Sequence, residues 1–344
     1  MLFPSGATAI QRDSKAATVY SYSLGVQHQL GANTVVDVSY VGNTGRHYVQ
    51  SRNINTIRPG ARFDPANIDP TTGGALPTDF FRPYSGYGDI SYIDTPGISN
   101  YNSLQFSANR RFTNGPQFGV SYTWSKAMDL TSGDGGGYPF YLSARSLLYG
   151  RSQYDQTHML SVNYIWDLPK ASGKWSNPFS RAVLDNWTLS GITTLASGLP
   201  QGINVSTTDN ADLTGGGDEG FLRANLIDSP QLSRGERSFD RWFNTSAFGR
   251  PGQGTYGNAS KDPFRGPGLN NWDISVYRKF PLWSEHRYLQ FRTEFYNAFN
   301  HTQFQFVDNN ARFDPAGSQV NGRFGQVVSA RQSRVIQFAI SFYF

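Results

Sequence analysis

The sequence predicts an all-β protein, an antiparallel transmembrane β-barrel with about nine membrane-spanning strands. Apolar and polar residues alternate over spans of about ten residues, short and long connections alternate between them, and aromatic residues reach 15% while charged residues are only 16%. These are the properties of strands that face lipid on one side and water on the other. A soluble β-sandwich fits less well, because soluble strands average ~5–6 residues and would not repeatedly expose aromatic faces.

The alternation recurs along the whole chain, and each predicted span is close to the ~9–11 residues that a tilted strand needs to cross a bilayer. The clearest case is 117–127, where Phe118, Val120 and Trp124 alternate with small polar residues. The predicted spans are about 18–30, 33–42, 99–112, 117–127, 157–168, 186–197, 271–280, 287–299 and 334–344. Tryptophans lie near the span ends, as in interfacial girdles, at Trp124, Trp166, Trp187 and Trp272.

The last span has the sharpest pattern. Strand side chains point alternately to opposite faces, so one face is apolar and the other carries Gln337, Ala339 and Ser341. The apolar residues proposed as an assembly signal are Phe338, Ile340, Phe342 and Phe344.

The connections predict the orientation of the barrel. Those at 31–33, 113–116 and 281–286 are short. The long connections, rich in Gly, Pro, Asn and Asp, are 42–100, 128–156, 198–270 and 300–333, and the link 169–185 is longer than expected for a periplasmic turn. Short turns are typical of the periplasmic side and long loops of the extracellular side.

This alternation assigns residues 86–94 to an extramembrane strand, a hairpin extension paired with the start of 99–112. Nine spans is an odd number, whereas bacterial single-chain barrels have even numbers. With Phe344 in the periplasm, residues 1–17 become an extracellular loop remnant. We therefore expect the chain to be the C-terminal part of a larger barrel.

Several function classes are disfavoured by the sequence. The net charge of +5 is spread along the chain, which argues against nucleic-acid binding. There is no cysteine, and none of the five histidines is at metal-ligand spacing, so we expect no metal, no cofactor and no catalytic residues. Asp155 and His158 are interpreted as polar residues at a strand mouth.

Charged residues on the predicted lumen face are the remaining candidates. Lys279 lies on one span, and Arg292 and Glu294 lie on the next. A solvated network inside the lumen is favoured over substrate binding. The segment Arg62–Ala66 also recurs as Arg312–Ala316, for which the sequence suggests no mechanism.

Several segments resemble the C-terminal part of TonB-dependent outer-membrane receptors, most closely the Oar-like group that often carries a carboxypeptidase-regulatory-like domain. They begin at Tyr40-Val41-Gly42-Asn43-Thr44-Gly45 and include Asn100–Gln105, Ser121–Lys126, Trp187–Ile192, Trp242–Phe248, Arg265–Trp272 and Asn297–His301. The segments follow the family order from about residue 18 to residue 344.

The resemblance implies a 22-stranded barrel, a plug domain and energised import across the outer membrane. It implies contact with lipid, lipopolysaccharide and the barrel-assembly machinery. TonB would be contacted only through an N-terminal region not represented here. We therefore expect barrel wall and extracellular loops for substrate uptake or surface binding, without enzymatic activity. The alternatives are a small autonomous barrel enzyme, in which the first and last spans would pair, and a surface adhesin.

Overall fold

The computed structural model describes residues 4–31, 33–111, 115–133, 136–138, 140–170, 185–216, 221–282 and 284–344. Residues 113 and 114 of the predicted turn at 113–116, and most of the link at 169–185, lie outside the described residues.

Nine long strands form the body of the protein. They are β1 Thr18–Leu30, β2 Thr34–Asn53, β3 Tyr87–Arg110, β4 Gln117–Asp129, β5 His158–Asp167, β6 Trp187–Ala196, β7 Leu269–Leu282, β8 Ser284–Tyr296 and β9 Val335–Tyr343. Each pairs antiparallel with its predecessor, so their order in the sheet is their order in the chain. Each predicted span overlaps one of these strands.

The register aligns like residues across the sheet. One row across β1 to β6 is apolar and consists of Val26, Val38, Phe106, Tyr122, Leu160 and Leu195. The adjacent row is polar on every strand from β1 to β7 and consists of Gln27, Asp37, Ser107, Ser121, Ser161, Thr194 and Asn271. Since successive side chains point to opposite sides of a strand, the sheet has one apolar face and one polar face.

The apolar face is exposed rather than packed. Leu24 is 76% exposed and Ile340 is 74% exposed, at opposite edges of the sheet. The tryptophans Trp124 and Trp166 on this face are also exposed, near opposite ends of their strands. Exposed apolar surface on this scale indicates contact with a non-aqueous environment or a partner.

The hairpin of β2 and β3 extends beyond the other strands, since β2 has 20 residues and β3 has 24. The predicted pairing of 86–94 with the start of 99–112 is wrong. Residues 87–110 form one strand, and its first part pairs with residues 50–53 of β2. Pro96 and Gly97, which suggest a turn in the sequence, lie in an irregularity of the ladder where His47 has a φ of 61°. Such bulges bend a strand without ending it.

The segment predicted as a loop remnant at 1–17 contains a strand. Ser5–Ile10 runs parallel to β3 and pairs with residues 87–93. The pairing covers one free edge of the extended hairpin, because residues 91–94 of β3 pair on their other side with β2.

A second body lies at the end of the sheet opposite the tight turns. We call it the cap, and it comprises the described residues 198–216, 221–268 and 300–333. Its core contains Phe243, Phe248, Phe264, Phe313 and Phe324, and Phe243 is 1% exposed. The Phe243 ring lies 4.2 Å from Phe264 and 5.2 Å from Phe324, centroid to centroid. The long connections are therefore folded against each other.

Short elements hold the cap together. Two strands pair in parallel, Asn204–Thr207 with Asn310–Phe313, and so join its two segments. The antiparallel pairs are Pro200–Gln201 with Phe264–Arg265, Asn225–Leu226 with Phe248–Gly249, and Phe304–Val307 with Val327–Ala330. A further short strand lies outside the cap, where Gly150–Arg151 pairs with β4. The helices in the described residues are Ala144–Leu148 and the 3₁₀ turns Ala61–Phe63, Pro65–Asn67, Thr78–Phe80 and Thr245–Ala247.

The repeated segments have related positions at the cap. Phe313 O accepts from Thr208 N, whereas Arg62 N donates to Gly215 O at the other end of the same cap segment. The two copies thus pack against the two ends of residues 208–215.

None of the helices in the described residues has the length and apolarity needed to cross a membrane. Within those residues, β1 and β9 are the two edges of the nine-strand order and do not pair with each other.

The two faces of β3 predict different responses to charge. Phe106→Arg places a guanidinium group on the apolar face, and we expect the free energy of unfolding to fall by about 2–4 kcal/mol. Gln105→Arg places the same group on the polar face and should cost less than about 1 kcal/mol. Urea titration of both variants in phospholipid vesicles measures the difference, and equal losses would contradict the assignment of the faces.

Candidate functional site

The predicted lumen charges lie together on the polar face. Arg292 Nη1 is 3.4 Å from Glu294 Oε1, and the Tyr296 hydroxyl donates to Glu294 Oε2 at 3.1 Å. The Arg292 guanidinium lies 5.0 Å from the centre of the Tyr277 ring on β7. Lys279 is two residues farther along β7, with Nζ 5.2 Å from the centre of the Tyr288 ring.

These contacts leave the charges largely engaged with one another and with aromatic rings. A groove of about 390 Å³ runs across the same face and is lined by residues of β5 to β8, including Asn163, Ser190, Ser275 and Glu294. The groove combines these polar side chains with apolar ones such as Ile165 and Ile192. The interpretation of the charges as a solvated lumen network remains a prediction.

The proposed assembly residues are on the free edge of the sheet. Phe338, Ile340 and Phe342 are 68%, 74% and 50% exposed on the apolar face of β9, and Phe344 is 93% exposed. Phe342 stacks on Phe344 at 5.8 Å, centroid to centroid. The strand thus presents an aromatic row next to an unpaired backbone edge. The role of this row as an assembly signal remains a prediction.

A buried ion pair ties the cap to the sheet. Asp155 is 1% exposed and accepts from Arg265 Nη2, while its other oxygen accepts from the backbone N–H of Ala127 on β4. Arg265 also donates to the carbonyl of Gly198 at 2.8 Å, and its own carbonyl accepts from Trp242 Nε1 at 2.8 Å. One arginine therefore connects the loop before β5, the end of β6 and the cap core.

The contacts of Arg265 bear on Asp155 and His158 and on the segment Arg265–Trp272, both of which were noted in the sequence. Asp155 is engaged with Arg265, whereas His158 Nδ1 is hydrogen-bonded to the Tyr122 hydroxyl at 2.8 Å. The Asp and His therefore have separate partners. Gly198 lies so close to the carbonyl of Gly266 that a side chain at residue 198 would overlap with it.

A cleft of about 910 Å³ opens beside this ion pair. Its walls are the end of β6, the residues just before β7, and the cap segments 230–237 and 260–264. The four arginines on its wall are Arg151, Arg234, Arg237 and Arg265, and the carboxylate among the lining residues is Asp262. Trp242 lies between them, with the Arg237 guanidinium 5.7 Å from the centre of its ring.

Burial governs the ionisation of Asp262. Desolvation raises the pKa of Asp262 above its usual value, a shift opposed by Lys261, Arg223 and Arg151. Burial also lowers the pKa of Arg223, which Asp262 counteracts. Asp262 Oδ2 is buried and has no hydrogen-bond partner among the described residues. Asp262 therefore brings one half-buried carboxylate to a wall that otherwise carries arginines as its charged residues.

Sequence reasoning did not find this cleft. Its charged residues come from three separate parts of the chain, so no local motif signals them. Trp242 and Arg265 do fall in segments noted for their family resemblance. In the structure these two residues join the cap core to the ion pair. Among the described residues, no group of three His, Cys, Asp or Glu side chains is arranged to hold a metal ion.

Comparison with known proteins gives the following matches. The family model described as "Outer membrane beta barrel domain" matches residues 1–337. The outer membrane transporter YddB from Escherichia coli is similar with a TM-score of 0.49 and 10% identity, over 99% of this chain and 35% of that one. The FrpB iron transporter from Neisseria meningitidis has a TM-score of 0.40 and 13% identity, over 98% and 33%.

A structure of the FpvAI–pyocin S2 complex gives a TM-score of 0.42 and 10% identity, over 95% of this chain and 27% of the other. This chain thus spans about a third of the length of the solved structures it matches. No curated protein matches the sequence.

We expect loss of the buried ion pair to destabilise the protein more than loss of an exposed ion pair. Asp155→Ala leaves Arg265 without its carboxylate, and breaking a buried pair in this way costs about 3–5 kcal/mol. The matched control is Arg62→Ala, whose pair with Asp212 is more exposed and should contribute at most about 1 kcal/mol. Urea titration measures both losses, and trypsin digestion should cut the cap faster only in Asp155→Ala. Equal effects would contradict the role of the pair as the tie between cap and sheet.

Proposed function

The chain belongs to the outer membrane β-barrel domain family, and we propose that it forms wall strands and extracellular loops of a TonB-dependent receptor of the Oar-like group. The outer membrane is its location. In the intact protein the proposed role is uptake of a substrate or binding at the cell surface. The observation that carries the proposal is the register, which aligns apolar residues in a row across β1 to β6 and polar residues in the adjacent row across β1 to β7.

The two faces support a wall with lipid on one side and a water-filled lumen on the other. Backbone groups in a bilayer need internal hydrogen bonds, which the antiparallel ladder supplies between neighbouring strands. The free edges at β1 and β9 support a barrel with more strands than these nine, as in the 22-stranded barrel implied by the family resemblance. The same edges speak against the small autonomous barrel, in which the first and last spans would pair.

The cap supports the proposed capture of a ligand outside the cell. Tight turns lie at one end of the sheet and the folded cap at the other, which is the usual asymmetry of periplasmic and extracellular ends. The cleft in the cap is built on a buried aromatic core, and two of its four arginines, Arg237 and Arg265, are held by hydrogen bonds. A rigid site of this kind suits recognition better than a set of loose loops, because less entropy is lost on binding.

The proposed partners follow from this orientation. Lipid and lipopolysaccharide surround the apolar face, and the barrel-assembly machinery engages the β9 edge. We assign no TonB contact to these 344 residues, because the resemblance places that contact in a plug-bearing region.

The orientation can be tested by cysteine labelling, since the chain has no cysteine of its own. Ser318→Cys lies on the exposed surface of the cap, and Asn33→Cys lies in the tight turn between β1 and β2. We expect a membrane-impermeant maleimide to label Ser318→Cys in intact cells and Asn33→Cys only after the outer membrane is permeabilised. The reverse pattern would refute the proposed orientation.

The proposed transport role predicts that uptake of at least one nutrient requires both this protein and TonB. A strain lacking this protein should lose uptake of at least one scarce nutrient, and a strain lacking TonB should lose uptake of the same nutrient. Uptake of radiolabelled nutrients by the two strains and their parent measures this. The transport proposal fails if every nutrient affected by loss of this protein is still imported without TonB.

A further inference from the structure

The arginine-lined cleft of the cap has a charge imbalance that its own residues do not remove. Arg265 is neutralised by Asp155, and Arg237 is held by the carbonyl of Leu232 at 3.1 Å and by the Trp242 ring. Within the described parts of the chain, neither Arg151 nor Arg234 forms an ion pair or a side-chain hydrogen bond, although Asp262 attracts Arg151 electrostatically. A concave surface with excess positive charge raises the local concentration of anions.

The cleft also contains a group that can accept hydrogen bonds from hydroxyls. Asp262 is half-buried on the cleft wall, beside arginines that can hold an anion. A carboxylate accepts hydrogen bonds from hydroxyl groups but repels another carboxylate. A ligand that contacts both the arginines and Asp262 therefore carries hydroxyl donors close to its anionic group.

The remaining walls limit the size and shape of the ligand. The cleft volume of about 910 Å³ is at the upper end of the usual range for small-molecule sites. The half-buried ring of Trp242 provides an apolar surface with its N–H already donated to the Arg265 carbonyl. Arg237 and Phe304 already contact this ring, so only its remaining surface towards the cleft can pack against the C–H face of a cyclic ligand.

We propose that the cleft binds an acidic saccharide. Its carboxylate or phosphate groups contact Arg151 and Arg234, its hydroxyls donate to Asp262, and one ring packs on Trp242. A sugar acid combines the required anion and hydroxyls on one ring, whereas an acidic peptide has few hydroxyls near its carboxylates. This inference rests on the proposed function only in placing the cleft outside the cell.

The proposal is tested by binding to outer-membrane fractions that contain the full chain. Fluorescent oligogalacturonate supplies carboxylates, and the delipidated core oligosaccharide of lipopolysaccharide supplies phosphates. These two probes distinguish an environmental polysaccharide from a component of the cell surface. Maltohexaose is the neutral control and inorganic phosphate the simple anion, and membranes without the chain give the background.

We expect saturable binding of at least one acidic probe, weakening as salt is raised. Arg151→Ala and Arg234→Ala should each reduce the affinity about tenfold, since each removes a charge-assisted hydrogen bond. Asp262→Asn should weaken binding less, because an amide oxygen still accepts from hydroxyls. The control Arg312→Ala removes an exposed cap arginine outside the cleft lining and should leave the affinity unchanged.

Three results would overturn the proposal: neither acidic probe binds above background, maltohexaose binds as tightly, or phosphate alone competes as well as the saccharide. Equal effects of Arg312→Ala and Arg234→Ala would also overturn it. Trypsin digestion of each variant verifies that the cap remains folded. The cysteine-labelling experiment is independent of the ligand, so failure of binding with correct labelling refutes the acidic saccharide and leaves the proposed barrel function intact.

Discussion

The structure depends on one constraint, the continuous register of the antiparallel ladder. A shift by one residue in any strand would turn that strand's apolar side chains to the opposite face, because the side-chain period is two. The ladder keeps one apolar row from Val26 on β1 to Leu195 on β6, and at the other edge it aligns Phe291 of β8 with Ile340 of β9 on the same face. Separate lipid-facing and water-facing surfaces are possible only because the register is kept.

In the cap, long polar loops acquire a fixed structure without long strands or helices. Loops rich in Gly and Pro have little regular hydrogen bonding of their own, so their order comes from the buried Phe243 core and from Arg265. Arg265 bonds to groups from three parts of the chain, and the tight approach of Gly198 to Gly266 fixes the path there. These contacts also hold the walls of the cleft at Gly198, Arg265 and Gly266 in place.

The sequence predicted the sheet better than the cap for a physical reason. Alternation is a local signal, and each strand from β1 to β9 carries it. The continuation of β3 through Pro96 and Gly97 was missed because those residues usually end a strand, and only the pairing with Tyr48 shows that they form a bulge. The cap core and the cleft could not be predicted, since Asp155 and Arg265 are 110 residues apart and neither residue type signals the other.

The free edges set the requirements for completing the wall. β1 and β9 each leave one side of the backbone without a strand partner among the described residues, which lipid cannot satisfy. A strand added at either edge must continue the register, so its apolar residues must align with Leu24 at one edge and with Ile340 at the other. A strand one residue out of register would place polar side chains in lipid. The same alternation that fixes the nine strands therefore also limits which strands can complete the barrel.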